Sequence, residues 1–216
     1  GIDQANLTVE GFLDLQPILT ENAELGLEFD SQSFNAQFSY YRSESDFGQR
    51  LQANADGIFS VEREQTEIDG VEFRAEWLPS TSDSIALRYA RTDGEYDSNA
   101  DGKVDTDLAG QNIAPNRLNI SWDRAWTQRV SSRLQINRLL DRKFNNSAGI
   151  QTAKFDGYTT VDASANVEVA NGILSLNAQN LGNEDYFTYY SQTTPNDNRY
   201  FAGIGRSVSL SYSMQF

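Results

Sequence analysis

Hydrophobic and polar residues alternate along nine segments of the chain. The C-terminal segment is the clearest example, because Val208, Leu210, Tyr212, Met214 and Phe216 alternate with serines and a glutamine. The other eight segments lie at about 23–29, 34–40, 71–77, 85–89, 118–122, 130–136, 161–169 and 174–178. A period of two places successive side chains on opposite faces of an extended strand. The pattern therefore predicts nine β-strands, each with one apolar face and one polar face.

The connections between these segments alternate between short and long. The short connections lie at 30–33, 79–82, 127–128 and 171–172, and the last of them is the strong turn dipeptide Asn171-Gly172. The long, polar connections lie at about 50–57, 94–114, 143–156 and 183–203. Short turns at one end and long loops at the other are typical of an outer-membrane barrel, with the turns in the periplasm.

Two fold classes can produce alternating strands, a membrane barrel and a soluble β-sandwich. Between the connections the strands often have 10 or more residues, longer than usual sandwich strands, and their polar faces are rich in Asn, Gln, Ser, Glu and Arg. Aromatic residues such as Tyr40, Trp77, Trp122 and Tyr212 lie on the apolar faces near strand ends, as in the aromatic girdles of barrels. We therefore predict an all-β protein, an antiparallel transmembrane β-barrel.

The strand count bears on the domain organisation. Bacterial single-chain barrels have an even number of strands, and a membrane sheet cannot leave an open edge. Nine strands do not meet this requirement. We expect residues 1–216 to form the C-terminal part of a barrel domain whose N-terminal strands lie outside this sequence.

Composition excludes several functional classes. The chain has 31 acidic and 17 basic residues among 216, a net charge of −14, which argues against a nucleic-acid partner. It has no cysteine and no histidine, and so it has no disulfide, no Cys/His zinc site and no histidine-dependent catalytic triad. The neighbouring carboxylates Glu62 and Glu64 have no accompanying nucleophile or pocket signature. We therefore do not expect an enzyme.

Five stretches, in order along the chain, resemble the C-terminal barrel of TonB-dependent outer-membrane receptors. They are LQPILTENAELGLEF (Leu15–Phe29), IDGVEFRAEW (Ile68–Trp77), APNRLNISW (Ala114–Trp122), NAQNLGNEDYF (Asn177–Phe187) and GIGRSVSLSYSMQF (Gly203–Phe216). Within the family the set resembles siderophore receptors of the ferric aerobactin or hydroxamate kind.

The resemblance implies a 22-strand barrel in the bacterial outer membrane, with a plug domain that lies N-terminal to the barrel and outside this sequence. It implies that a ferric siderophore binds at the extracellular side and that the TonB complex acts on the plug. Lipid and lipopolysaccharide would surround the barrel. Phe216 resembles the terminal aromatic that the barrel assembly machinery reads, and it is also compatible with a simple girdle residue.

The stretch YDSNADGKVDTDLAG is the sharpest local motif. Its spacing resembles D-x-[DN]-x-[DN]-G, the start of a calcium loop, with Gly102 at the turn. The position of the usual bidentate glutamate is occupied by Leu108. We expect a weak Ca²⁺ site in 97–108, or else a solvated acidic hairpin loop. The candidate ligands are Asp97, Asn99, Asp101, the Lys103 carbonyl and Asp105.

The last long connection combines tyrosines with an arginine, residues that suit a siderophore through stacking, hydrogen bonds and charge. The alternative for each tyrosine is girdle or loop packing. The candidate ligand-binding residues are Tyr186, Tyr189, Tyr190, Arg199 and Tyr200.

The polar face carries many charges, and the region of Arg42, Glu44, Asp46 and Arg50 is expected to be solvated. We expect the charges of the polar face to pair with the plug or with each other; they are Glu24, Glu28, Glu72, Arg74, Glu76, Arg88, Arg133 and Glu168. Active uptake of a ferric siderophore is the leading functional hypothesis. A passive porin, a soluble binding module and a secretion or adhesion barrel are the alternatives.

Overall fold

A computed structural model describes residues 18–53, 59–193 and 200–214. Arg199, Phe216 and residues 15–17 of the first resembling stretch lie outside this part of the chain. The elements of the described residues are β1 Glu21–Asp30, β2 Phe34–Ala53, β3 Phe59–Ser80, β4 Asp83–Tyr96, β5 Thr106–Asp107, β6 Arg117–Ala125, β7 Val130–Leu139, β8 Arg142–Asn145, β9 Gln151–Phe155, β10 Tyr158–Val169, β11 Gly172–Gln179, the short helix α1 Tyr189–Thr193, and β12 Ser207–Met214. No helix among the described residues is long and apolar enough to cross a membrane.

Nine strands form one antiparallel meander in the order β1-β2-β3-β4-β6-β7-β10-β11-β12. These nine strands are the nine that the alternating pattern predicts, and the predicted long connections after β4, β7 and β11 are confirmed, whereas the one between β2 and β3 is reduced to 54–58. The short strand β5 adds to β4, while β8 and β9 form a separate hairpin inside a long connection. The predicted all-β antiparallel fold is confirmed.

The register aligns the apolar faces of neighbouring strands. In one row across the sheet, Leu27 lies opposite Phe38, which lies opposite Phe73. On the same face, Leu176 and Leu210 pair with each other and remain 48% and 68% exposed. Within the described residues, no second sheet packs against this face. The apolar face is therefore exposed along the sheet, which agrees with the lipid-facing surface of the predicted barrel.

The apolar band moves along the strands from one side of the sheet to the other. The row that contains Asp83, Arg124 and Ser132 in β4, β6 and β7 continues through β10 to Leu176 and Leu210 in β11 and β12. Residues of this one row are thus polar in β4, β6 and β7 but apolar in β11 and β12. Strands that tilt by about 35–45° from the barrel axis, as in membrane barrels, produce this drift.

Strands β2 and β3 are much longer than their alternating segments predict, at 20 and 22 residues. At about 3.3 Å per residue, β2 reaches about 66 Å, well beyond the apolar band of about 25 Å. Residues 50–53, predicted as part of a long loop, belong to β2. A bulge between Ser45 and Gly48 changes the register of its upper part.

Two glycine-containing motifs of the sequence can be located in the structure. In the Gly-Val-Glu stretch of β3, the Tyr41 ring crosses Gly70, and its hydroxyl forms a 2.7 Å hydrogen bond with the Thr92 hydroxyl. A Cβ on Gly70 would lie 2.5 Å from the Tyr41 ring. In the turn between β10 and β11, the two turn residues are Ala170 and Asn171, so the predicted turn at 171–172 is shifted by one residue.

Candidate functional site at the long-loop end

Every buried apolar side chain of the described residues lies in the long connections. They are Leu108, Ile113, Phe144, Phe155 and Tyr189. Phe144 from β8, Phe155 from β9 and Tyr189 from α1 pack together, with Leu139, Ala153 and Tyr158 around them. We call these six residues the loop core. The long connections thus fold against each other at one end of the sheet.

Tyr189 links two of these connections. Its side chain is 9% exposed, its ring meets the Phe155 ring edge-on at 4.9 Å, and its hydroxyl donates a 2.8 Å hydrogen bond to the Ile113 carbonyl. Burial raises the pKa of Tyr189 to about 12. Both its ring and its hydroxyl are engaged in holding the loops together.

Tyr186 is also used in packing. Its ring stacks on the Tyr158 ring with centroids 3.8 Å apart, and Gly203 covers its other side. A Cβ on Gly203 would lie 2.0 Å from the Tyr186 ring, and the Gly203 N–H donates a 2.7 Å hydrogen bond to the Tyr186 carbonyl. The glycine therefore allows the second half of the connection to lie against Tyr186.

The remaining aromatic residues of this connection are at the surface. Tyr200 is 60% exposed and its ring lies 5.1 Å from that of Phe187, while Tyr190 and Phe201 are also exposed. We call these four residues the exposed aromatic group. Of the predicted ligand-binding residues, Tyr190 and Tyr200 are accessible here, and Tyr186 and Tyr189 belong to the packing. Arg199 lies outside the described residues.

Asn180 positions the start and end of the same connection. It is buried with a φ of 48°. Its side-chain amide donates hydrogen bonds to the carbonyls of Glu184 (2.9 Å) and Ile204 (3.1 Å), and its Oδ1 accepts one from the Glu184 N–H (2.8 Å). Its own N–H donates to Asp162 on β10 at 2.8 Å. Asn180 thus joins β10 to both ends of the connection between β11 and β12.

The β8–β9 hairpin is attached to the main sheet by polar contacts. Arg142 is buried, donates a 2.7 Å hydrogen bond to the Thr92 carbonyl and lies 3.4 Å from a carboxylate oxygen of Asp93. The Asn145 N–H donates a 2.6 Å hydrogen bond to Asp107. These contacts fix the hairpin against β4 and β5.

The upper part of β2 contacts the connection between β4 and β6. The Asn112 side-chain amide exchanges two hydrogen bonds with the Leu51 backbone, at 2.8 and 3.1 Å. Arg50, expected to be solvated, is buried; it makes a bidentate pair with Glu64 at 2.6 and 3.0 Å and lies 4.2 Å from the centroid of the Tyr96 ring. The solvated interpretation of Arg50 is wrong, because the bulge in β2 brings it to the face that Tyr96 shares.

The acidic loop at 97–108 is closed by its own hydrogen bonds. One Asp97 carboxylate oxygen accepts from the Gly102 N–H at 2.8 Å, and the other accepts from Asn99 (3.2 Å) and Asp101 (3.3 Å). Burial acts to raise the pKa of Asp97, but these backbone donors hold it below its usual value. Ca²⁺ binding by this loop stays a prediction.

A ladder of carboxylates crosses the outward face above the apolar band. Glu21, Glu44, Glu67, Glu95 and Asp107 are successive neighbours across β1 to β5. Burial, followed by the nearby Asp107 and Glu67 charges, raises the pKa of Glu95. Within the described ranges, no group of three or more carboxylates converges in a way that could hold a metal ion.

The polar face of the sheet differs between its two sides. Over β6 to β11 it is internally paired, since Arg133 forms a bidentate pair with Asp123 at 2.7 and 3.0 Å and Asn137 donates to Asp162 at 2.9 Å. Over β1 to β4, Arg74 and Arg88 lie side by side in register. Neither has a hydrogen bond or ion pair with any residue that the structure describes.

Sequence reasoning missed the loop core and the role of Asn180. A signal for the hairpin was present, because Phe144 and Phe155 flank the turn-forming stretch Asn145-Asn146-Ser147-Ala148-Gly149. The sequence carries no comparable signal for the contact of Tyr189 with Ile113, which are 76 residues apart. Only the folded chain brings these connections together.

A family model described as "TonB dependent receptor-like, beta-barrel" matches residues 3–181. The ferric aerobactin receptor of Escherichia coli is 29% identical over 94% of this chain, and the match covers 28% of that receptor. The ferric aerobactin receptor of Klebsiella pneumoniae is likewise 29% identical, with 27% of its length covered. The chain therefore spans just over a quarter of these curated relatives.

Solved structures share the fold at low identity. The copper transporter OprC matches with a TM-score of 0.73 and 18% identity, over 94% of this chain and 32% of that one. The pyoverdine outer membrane receptor FpvA from Pseudomonas aeruginosa, bound to pyoverdine, matches with a TM-score of 0.66 and 16% identity, over 94% of this chain and 30% of that one.

Proposed function

Because the chain belongs to the TonB-dependent receptor-like β-barrel family, we propose that it is part of an outer-membrane receptor that takes up a ferric siderophore. The family places it in the bacterial outer membrane. The single observation that carries the proposal is the exposed aromatic group. It lies at the long-loop end of the sheet, beyond the apolar face that is directed to lipid.

The chemistry of this end suits a ferric chelate. Siderophores present aromatic or apolar groups around an anionic iron centre, and the rings of Tyr190 and Tyr200 supply stacking surface and hydroxyl groups. Arg199 would add a cation that recognises the anionic centre. Binding and translocation make or break no covalent bond. The similarity to ferric aerobactin receptors supports a hydroxamate-type chelate as the substrate.

The polar face over β1 to β4 supports a plug as the interior partner. Arg74 and Arg88 are paired in register, like charges directly opposite each other destabilise a sheet, and an acidic partner from outside the sheet would add to the neighbouring Glu72 and Glu76 in offsetting this. We propose that a plug domain, encoded outside this sequence, supplies that partner and receives the pull of the TonB complex. Lipopolysaccharide around the outer rim and recognition of Phe216 by the barrel assembly machinery complete the proposed partners.

The uptake proposal is tested with the complete receptor in iron-limited cells. Growth is measured with hydroxamate, catecholate and citrate chelates of iron, and with a copper salt as a separate arm. Tyr190→Ala combined with Tyr200→Ala is expected to reduce binding of the transported chelate at least tenfold. The matched control is Tyr212→Ala, an exposed tyrosine on the lipid face, which should bind normally. Growth on none of the iron chelates would contradict the proposal.

Calcium binding is tested separately by calorimetry on the complete receptor. We propose that the 97–108 loop binds Ca²⁺ weakly, with a dissociation constant of about 10⁻⁴–10⁻³ M, as in extracellular calcium modules. Asp101→Asn should abolish the heat, whereas Asp156→Asn, in another loop, should retain it. Absence of heat at millimolar Ca²⁺ in the unsubstituted receptor would contradict the proposal.

A further inference from the structure

One corner of the lipid face, at the short-turn end, differs from the rest of the apolar band. Asp83, Arg124 and Ser132 are neighbours in one row across β4, β6 and β7, and they lie on the face that carries Ile85, Trp122 and Leu134 one row away. A charged pair is thus placed at the edge of the lipid-facing band. Long charged side chains at such an edge lie at the level of phospholipid headgroups.

Trp122 and Trp126 each contact one member of the Asp83–Arg124 pair. The Arg124 guanidinium lies over the Trp126 ring, 4.4 Å from its centroid. Trp126 Nε1 donates a 2.8 Å hydrogen bond to Ser132, and Trp122 Nε1 donates one of 2.9 Å to Asp83. Tryptophan is the residue enriched at membrane–water interfaces, with its ring in the apolar region and its N–H toward polar groups.

The arginine has unused donors. Nη1 of Arg124 lies 3.3 Å from an Asp83 oxygen, which is a long contact. Nε is shielded from solvent and has no hydrogen-bond partner among the residues that the structure describes, while the side chain as a whole is 38% exposed. The Nε and Nη2 edge of a guanidinium matches two oxygens of a phosphate. An unpaired shielded donor is costly, so a phosphate that reaches the exposed part of the guanidinium and turns the Nε–Nη2 edge outward would remove this cost.

The carboxylate beside the arginine restricts the kind of phosphate. Asp83 accepts hydrogen bonds from Ser80 (2.7 Å), Trp122 (2.9 Å) and Arg124 (3.3 Å), which leaves one acceptor position of about four. A purely anionic headgroup would be repelled by this charge. A headgroup with an ammonium a few bonds from its phosphate would place a positive charge near Asp83 and a negative charge near Arg124. We propose that Arg124, Asp83 and Trp126 bind the headgroup of a zwitterionic, amine-bearing phospholipid in the leaflet next to the short turns.

The test is native mass spectrometry of the complete receptor titrated with phosphatidylethanolamine or phosphatidylglycerol. The first phosphatidylethanolamine should bind the unsubstituted receptor at least fivefold more tightly than the Arg124→Gln variant, and more tightly than phosphatidylglycerol. Millimolar inorganic phosphate should not displace it, which distinguishes a lipid headgroup from a free phosphate. The matched control is Arg133→Gln, because the Arg133–Asp123 pair joins β7 and β6, beside the Arg124–Asp83 pair of β6 and β4, but lies on the polar face and has the Nε and Nη2 donors of Arg133 engaged.

Equal affinity of the unsubstituted receptor and Arg124→Gln, or an equal loss in Arg133→Gln, would overturn the site. Equal binding of both lipids would overturn the zwitterionic assignment. Asp83→Asn provides a second measurement should Arg124→Gln fail to fold: it keeps hydrogen-bonding groups but removes the charge, and it should abolish the preference for phosphatidylethanolamine.

Discussion

The nine-strand sheet and the long-loop end are stabilised in different ways. Leu210 in the sheet is 68% exposed, whereas Phe155 in the loops is 0% exposed. All buried apolar side chains of the described residues lie in the long connections. The sheet therefore depends on its inter-strand hydrogen bonds and on lipid as the solvent for its apolar face. The loop end has a small dry core like that of a soluble protein.

This difference implies that the two regions respond to different substitutions. Charge on the lipid face should affect insertion into the membrane, and loss of volume in the loop core should affect only the arrangement of the loops. The exposed aromatic group depends on the loop core for its position, because α1 supplies both Tyr189 to the core and Tyr190 to the surface.

The largest expected effect is that of Phe155→Ala. Removal of this ring leaves a cavity beside Tyr189 (ring centroid at 4.9 Å) and Tyr158 (6.1 Å). Such a change costs about 3–5 kcal/mol, enough to unfold the loop end locally. Limited proteolysis should cut within 140–157 while the barrel remains heat-modifiable on gels. Ile150→Ala, at the exposed tip of the same hairpin, should not change the cleavage rate; loss of the barrel itself in Phe155→Ala would contradict the separation of the two regions.

Leu210→Arg tests the lipid face. An arginine there costs about 2–4 kcal/mol if Leu210 lies near the bilayer midplane. The free energy of unfolding, measured by urea titration in phospholipid vesicles, should fall by this amount. The matched control is Ser209→Arg, one residue away on the polar face. Its free energy of unfolding should fall much less. Equal losses for both variants would show that this face is not lipid-directed.

Asn180→Ala tests the junction between sheet and loops. It removes three side-chain hydrogen bonds to Glu184 and Ile204 and places alanine at a φ of 48°. We expect a loss of about 2–3 kcal/mol, confined to the last connection. Hydrogen exchange of the amides in 184–193 should accelerate. Asn177→Ala, on the polar face of β11, serves as the control, and equal acceleration in both would refute a special role for Asn180.

The smallest expected effect is that of Tyr189→Phe, which removes only the hydroxyl that bonds to Ile113. The expected cost is about 0.5–1.5 kcal/mol. The pKa of Tyr189 is raised to about 12, so folding favours the neutral hydroxyl. The contribution of this preference to the stability of the folded loops is complete below the unfolded pKa of about 10 and is lost as the pH rises to 12. Proteolysis of the loops between pH 9 and 12 should therefore increase less in Tyr189→Phe. An identical pH profile in both proteins would contradict the assignment.

The sequence by itself determined the nine strands, their two faces and the alternation of short and long connections. These features follow from a period of two, which is a local property: the alternation around Leu176 and Leu210 is readable without knowing that they pair. Residues such as Asn171 and Gly172 indicated the turn to within one residue, because turn chemistry is also local.

Tertiary structure alone decided which side chains of the long connections face inward. Nothing near Arg50 in the sequence distinguishes it from a solvated arginine, and its burial follows from a bulge and from Tyr96 on another strand. Tyr189 and Tyr190 are adjacent in sequence, yet one is buried and the other exposed. The physical reason is that burial in irregular connections is set by contacts between segments far apart in the chain, such as Tyr189 with Ile113, and these contacts leave no periodic pattern in the sequence.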